Sequence, residues 1–178
     1  AKKYQLENAD KPDSQDICFV PNGDYASVIE KLRPGALDKG NIVDMDGNIL
    51  GTHDGIINYT IGQRRGLGIS GVDPYYVIKI DPKTHSVIVG PEEKLFSTEF
   101  YIRDANWLVD ESLIDGMKLQ VKIRSAHEPK EALIYKDPTR GAYIVKLSEP
   151  QKSITPGQAC VVYDGSRVLG GGWISKEY

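Results

Sequence analysis

The chain is 178 residues long, 40% hydrophobic and 26% charged, the make-up of an ordinary globular protein with enough residues for one domain or two small ones. Its 22 basic and 25 acidic residues leave a net charge of −3, which argues against an indiscriminate nucleic-acid binder but leaves room for a local basic patch. No apolar run approaches the ~20 residues of a membrane span, and neither a signal-peptide pattern nor an internal repeat is present. Two distant cysteines without a CxxC pair make neither a disulfide framework nor a zinc site, and a reducing, cytoplasmic setting is the simplest expectation.

In chain order, the first informative stretch is Asp13-Ser14-Gln15-Asp16-Ile17-Cys18-Phe19-Val20-Pro21. Ile17, Phe19 and Val20 read as a short buried strand, in which Cys18 is a small core residue. The same residues also suit a reactive thiol at a strand end, its pKa drawn below about 8.5 by the helix that follows. The residues alone leave both readings open. From Asp24 to Leu32 the spacing of Tyr25, Val28, Ile29 and Leu32 predicts one apolar helical face, with Asp24 as N-cap and Arg33-Pro34-Gly35 as the stop. Asn41–Met45 and Asn48–Gly51 flank Asp46-Gly47, a two-residue hairpin signal. His53–Tyr59 suits either a helical turn or a short strand. Gly62–Gly71 is glycine-rich and basic and reads as a loop, and Tyr75–Ile80 and Ser86–Val89 read as strands around Asp81-Pro82-Lys83. Together these make a mixed but mostly β region over about residues 10–90.

The remainder is nearly all strand. Glu99–Leu108, Lys118–Arg124, Glu131–Tyr135, Ala142–Leu147, Gln158–Tyr163 and Arg167–Ser175 alternate or run apolar, separated by turn residues such as those of 137–141 and 164–166. Regularly spaced short strands predict a small closed antiparallel barrel, because closure removes exposed edges. The fold class is therefore mainly β: a small mixed α/β central domain followed by a six-stranded antiparallel β-barrel.

Several motifs carry chemistry or its imitation. Gly66-Leu67-Gly68-Ile69-Ser70-Gly71 satisfies GxGxxG, yet Pro74 interrupts the helix that a dinucleotide site needs. In Gly62-Gln63-Arg64-Arg65-Gly66, adjacent guanidinium forks beside glycines suit phosphate, and equally suit pairing with Asp44, Asp46 or Asp54. His53, His85 and His127 read as surface or packing residues, and Cys160 as core. Lys118, Lys122 and Arg124 alternate along one strand and so share a face, as a solvated strand also would.

Three blocks in order resemble the tRNA-specific 2-thiouridylases of the MnmA/TrmU family. They are Lys11–Phe19 with Gly23-Asp24-Tyr25, Thr60–Ile69, and Thr155-Pro156-Gly157-Gln158-Ala159 with Leu169-Gly170-Gly171-Gly172. The resemblance implies that Cys18 is catalytic and carries a persulfide whose sulfur replaces the 2-oxygen of the wobble uridine. It also implies that Arg124, Ser125 and Gln158 contact tRNA. Members often carry an aromatic or second basic residue just after that arginine, whereas this chain has Ser125-Ala126-His127. Members further carry an ATP-binding PP-loop domain with a second catalytic cysteine, neither of which is found in this sequence. The organisation so implied is residues 1–9 as the tail of an upstream domain, 10–90 as the central domain with the catalytic cysteine, and 97–178 as a tRNA-contacting barrel like the second domain of elongation factors.

ATP and magnesium would be bound by that upstream domain, leaving no cofactor or metal expected in this chain and making it inactive alone. The partners implied are tRNAs of the lysine, glutamate and glutamine type with a wobble uridine, and a sulfur-relay protein or cysteine desulfurase as persulfide donor; no membrane partner is expected. After sulfur transfer, Cys18 would be left in a disulfide with the upstream cysteine. The resemblance makes the Gly62–Gly71 run a structural loop beside that cysteine. Two other classes fit the residues: a non-catalytic RNA-binding β-barrel module, and a thiol-redox protein.

Overall fold

The computed structural model describes residues 25–32, 37–71 and 73–175. The Cys18 stretch therefore lies outside the described residues. Helix α1 (Tyr25–Leu32) starts and ends where the sequence pattern put it, with Val28 and Ile29 half-buried. Leu32, expected on the apolar face, is instead 74% exposed.

The first β unit is a four-stranded mixed sheet in the order β2-β1-β4-β3, built from β1 (Gly40–Val43), β2 (Ile49–His53), β3 (Tyr76–Asp81) and β4 (Ser86–Gly90). The β1–β2 hairpin forms, but its connection is longer than the two residues expected. Asp44 turns its carboxylate back to accept from the amides of Asp46 and Asn48 at 2.9 and 2.8 Å, and from the Asn48 side chain at 2.8 Å. This local competitor for backbone donors ends β1 at Val43, ahead of Met45. The Asn48 hydrogen bond, with backbone donors adding, also holds the Asp44 carboxyl below the usual range. The ambiguous 53–59 segment divides between the end of β2 and a 3-10 turn, Ile56–Asn58. β1 runs parallel to β4, which places Ile42, Val77, Val87 and Val89 in one buried layer, and Leu67 drops into it from the glycine-rich loop.

The second unit is a closed barrel in the order β10-β5-β8-β7-β6-β9, every pair antiparallel. Its strands are β5 (Phe96–Trp107), β6 (Met117–Lys122), β7 (Lys130–Asp137), β8 (Ala142–Lys152), β9 (Ala159–Asp164) and β10 (Arg167–Ser175). Alternate residues point inward as a period of two requires, so Phe100, Ile102, Val121, Ile134, Val145, Val162 and Ile174 fill the interior. Cys160 faces the same core, as its strand pattern implied.

Strand β10 explains a block that the sequence marked without a mechanism. Its register shifts against both neighbours, and here it passes unusually close to them. A Cβ on Gly171 would stand 2.1 Å from the Cys160 carbonyl oxygen, and one on Gly172 would stand 2.6 Å from that of Arg103. These contacts are to backbone, so the neighbour cannot rotate away. Gly171→Ala is expected to destabilise the barrel by about 1–3 kcal/mol in urea unfolding. A wild-type midpoint for this variant would contradict this account of β10.

The seam between the two units runs along the end of β8. Lys152 pairs with Glu92 and lies over the Tyr76 ring, 5.1 Å from its centre. The next residue, Ser153, donates its amide to the Leu95 carbonyl at 2.9 Å.

Candidate RNA interface

Strand β6 leaves the barrel with Leu119, Val121 and Ile123 turned inward and Lys118, Lys122 and Arg124 outward, the alternation read from the sequence. The strand itself stops at Lys122, two residues short of the expected end. Arg124 sits beyond it, where its carbonyl accepts from the His127 amide at 3.2 Å and closes a turn over Ser125 and Ala126. Of the three outward cations, Lys118 is held by Glu131 at 2.9 Å. Arg124 is fixed differently. Its Nη2 donates to the Ser153 carbonyl at 2.6 Å and reaches the Lys152 carbonyl at 3.4 Å. Carbonyl acceptors orient a guanidinium without cancelling its charge, and its other N–H groups make no hydrogen bond with the described residues.

Opposite this turn comes Thr155-Pro156-Gly157-Gln158. Pro156 followed by Gly157 at φ 87° is the sequence of a type II turn, closed by the Gln158 amide on the Thr155 carbonyl at 3.3 Å. The Gly157 amide donates to the Ile174 carbonyl at 2.8 Å, and the Gln158 carbonyl accepts from the Ile174 amide at 2.7 Å, so the turn is pinned to β10. Gln158 also lines the space beside the β6 turn, its Oε1 buried and without a donor among the described residues.

The two turns enclose an open pocket of about 480 Å³ lined by Ile123–His127 with Gln158 and Ala159. Arg124, Ser125 and Gln158, singled out from the sequence, are thus brought together, although Arg124 and Gln158 are 34 positions apart. His127, read as a surface or packing residue, also lines this pocket; only its place at the end of the turn reveals that. Cys18 lies outside the described residues.

The remaining histidines serve the fold. His53 is buried, accepting at Nδ1 from the Gly55 amide at 3.1 Å, with its Nε2 3.0 Å from the His85 carbonyl. Because Nδ1 accepts, Nε2 carries the proton and donates. The GxGxxG run is followed by β3 and not by a helix, which removes the dinucleotide reading. No group of His, Cys, Asp or Glu among the described residues could hold a metal ion, and none of the described helices is long and apolar enough to cross a membrane.

These two units are of recognised kinds. Residues 27–91 match the family described as tRNA methyl transferase PRC-barrel domain, and residues 97–174 match the aminomethyltransferase beta-barrel domain. The chain is 57% identical over 180 residues to the tRNA-specific 2-thiouridylase MnmA of Paracoccus denitrificans, covering 99% of this chain and 46% of that protein. It is 58% identical over 179 residues to the protein of the same description from Rickettsia bellii, covering 99% and 48%. The chain belongs to the tRNA-specific 2-thiouridylase MnmA family, and spans about half the length of the curated relatives it matches.

Burial pushes the Cys160 thiol up to about 12, so it stays protonated throughout the working range of a thiol nucleophile. Native protein treated with iodoacetamide between pH 7 and 9 should show no labelling of Cys160 by mass spectrometry, and rapid labelling once urea unfolds the barrel. Labelling of Cys160 in the folded protein would contradict its place in the core.

Proposed function

We propose that the chain is the tRNA-holding and sulfur-delivering part of a tRNA-uridine 2-sulfurtransferase. The observation that carries this reading is the convergence of Arg124, Ser125 and Gln158 on one open pocket, where the guanidinium has no carboxylate partner and the buried amide oxygen no donor among the described residues. A guanidinium held by neutral acceptors supports a phosphate contact. The orphaned Gln158 Oε1 needs a donor, which a ribose 2′-hydroxyl or an exocyclic base amine supplies. Both the enzyme reading and the plain RNA-binding module use this pocket; the thiol-redox reading does not.

In this reading Cys18 carries the sulfur. The uridine C2 oxygen is first adenylated with loss of pyrophosphate, a step that falls to the part of the relatives' length this chain does not span, together with ATP and magnesium. The terminal sulfur of the Cys18 persulfide then attacks C2 and AMP leaves. A second thiolate attacks the Cys18 sulfur, which breaks the S–S bond, releases the 2-thiouridine and leaves a disulfide. Attack by hydrosulfide released from the same persulfide gives the same products. The tRNA set, the sulfur donor and a cytoplasmic location follow the family and belong to this proposal.

Filter binding of tRNA to the chain at several salt concentrations tests the pocket. Arg124→Ala is expected to weaken binding about tenfold and to lower the salt slope by about one, whereas Gln158→Ala should weaken it with the slope unchanged. Thermal unfolding of both variants separates lost contact from lost fold. If Arg124→Ala leaves affinity and slope as they were, the pocket is not the RNA contact. In a full-length family enzyme carrying this chain, Cys18→Ser should abolish thiolation while tRNA binding persists, because a serine hydroxyl holds no persulfide. Thiolation surviving in that variant would remove Cys18 from the mechanism.

A further inference from the structure

The pocket just described does not account for the glycine-rich loop Gly62–Gly71, and the structure gives that loop unusual properties. It is held rigidly at its base. The Gly62 amide donates to the Val77 carbonyl at 2.8 Å and the Gln63 carbonyl accepts from the Val77 amide at 2.9 Å, which ties it to β3. The Gln63 side chain then staples the turn, accepting from the Thr60 amide at 3.0 Å and donating to the Arg65 carbonyl at 2.9 Å. Leu67 anchors the far side in the sheet core at 5% exposure.

What this scaffold presents is a set of donors without acceptors. Arg64 and Arg65 are exposed, and neither forms an ion pair with a described residue. Two of the carboxylates that could have neutralised them are occupied: Asp54 pairs with Lys39, and Asp44 closes its own hairpin turn. Glu92 lies within electrostatic reach of Arg64 but gives its carboxylate to Lys152. The backbone amides of residues 64 to 71 likewise make no hydrogen bond with the described residues. Gly66 and Gly68 take φ values of 74° and 68°; a Cβ would meet nothing at Gly68 and only the Gln63 Nε2, at 3.9 Å, at Gly66, so these glycines serve the backbone's shape and leave it approachable. Beside them lies a polar pocket of about 440 Å³ whose walls include Arg64, Ser70, Asp73 and Tyr75.

A fixed run of amides without acceptors among the described residues, next to two guanidinium groups in no ion pair with a described residue, is the arrangement that receives phosphate oxygens. Its position gives the phosphate a source. Gly62 abuts Ser153, where a Cβ would come within 2.5 Å of the Ser153 Oγ, and the Ser153 carbonyl is the one that orients Arg124. The loop and the Arg124–Gln158 pocket therefore flank a single residue.

We propose that the Gly62–Gly71 loop is a second phosphate clamp, in which Arg64, Arg65 and the loop amides grip the ribose-phosphate backbone of the same tRNA that occupies the Arg124–Gln158 pocket. The inference rests on that pocket's being an RNA contact, and the two can fail separately. The test compares Arg64→Ala/Arg65→Ala with Arg124→Ala in tRNA filter binding across a salt series, on the 178-residue chain. The double variant should bind on the order of tenfold more weakly at moderate salt, with a salt slope lower by about two. Arg64→Lys/Arg65→Lys should recover most of the slope and only part of the affinity, since an ammonium keeps the charge and loses the fork. Both arginines are exposed, so unchanged thermal unfolding should accompany the loss.

Wild-type binding by the double alanine variant, with Arg124→Ala impaired, overturns the clamp and leaves the pocket standing. Impaired binding by the double variant, with Arg124→Ala normal, keeps the clamp and removes the pocket. Displacement of tRNA by micromolar ATP from the wild type but not from the double variant would show that the loop takes a nucleotide's phosphates, which overturns the RNA assignment. No measurable binding of tRNA by the wild-type chain overturns both.

Discussion

Ser153 is the residue at which the two units and the Arg124–Gln158 pocket meet. It lies buried just past the end of β8 in the left-handed region, at φ 56°, where a side chain with a Cβ is held at a cost of about 1–2 kcal/mol. Its surroundings offset that cost. The amide is spent on Leu95, while the carbonyl accepts both from Arg124 and from the Thr155 hydroxyl at 3.0 Å. Its Oγ fills the space above Gly62, whose own φ of 88° and missing Cβ permit the approach. One bend thus sets the direction of the guanidinium, the start of the Pro156-Gly157 turn and the seat of the glycine-rich loop. A shift there would move all three together.

Charge on this protein is managed locally. The barrel wall is laced with exposed pairs, Lys118 with Glu131, Lys146 with Glu99 and Lys136 with Glu111. Each is worth little in stability, but each cancels a cation that would otherwise attract phosphate without regard to place. Lysine hydrogen bonding holds the Glu111 carboxyl below its usual range, and raises Lys136 in turn. A carboxylate with a depressed pKa adds stability above its unfolded value and loses it as pH falls through the folded one. Acidification through that range therefore opens the Lys136–Glu111 pair and leaves Lys136 bare. Arg124 differs because its partners are carbonyls, so its charge survives in a chain of net charge −3. Confining attraction to a few placed groups gives register more than raw affinity.

The strand pattern, and with it the barrel, could be read from the sequence because a period of two with polar turns between is a local property. Arg167–Ser175 matches β10 at both ends, and Tyr75–Ile80 and Ser86–Val89 match β3 and β4 to within a residue. Boundaries failed where a side chain competed with the ladder, as Asp44 does, or where a turn began early, as it does after Lys122. Leu32 failed for another reason: a helical spacing says which residues share a face, and not what that face meets.

The residues of the candidate site were named by resemblance, and their chemistry was not contained in their spacing. Arginine in an alternating strand is equally a solvated residue, and glutamine after Pro-Gly is equally a turn residue. The sequence by itself determined the residue types, the alternation that turns Arg124 outward and the left-handed turn that only Gly157 permits. Tertiary structure decided the rest, because barrel closure sets β9 beside β6 and so brings Gln158 to the turn that Arg124 begins. It likewise left Arg64 and Arg65 without an ion pair among the described residues, since two of the aspartates that could have met them, Asp54 and Asp44, are used by Lys39 and by a hairpin turn. Whether a charge is spent or free depends on neighbours distant in sequence, and only the folded chain chooses those neighbours.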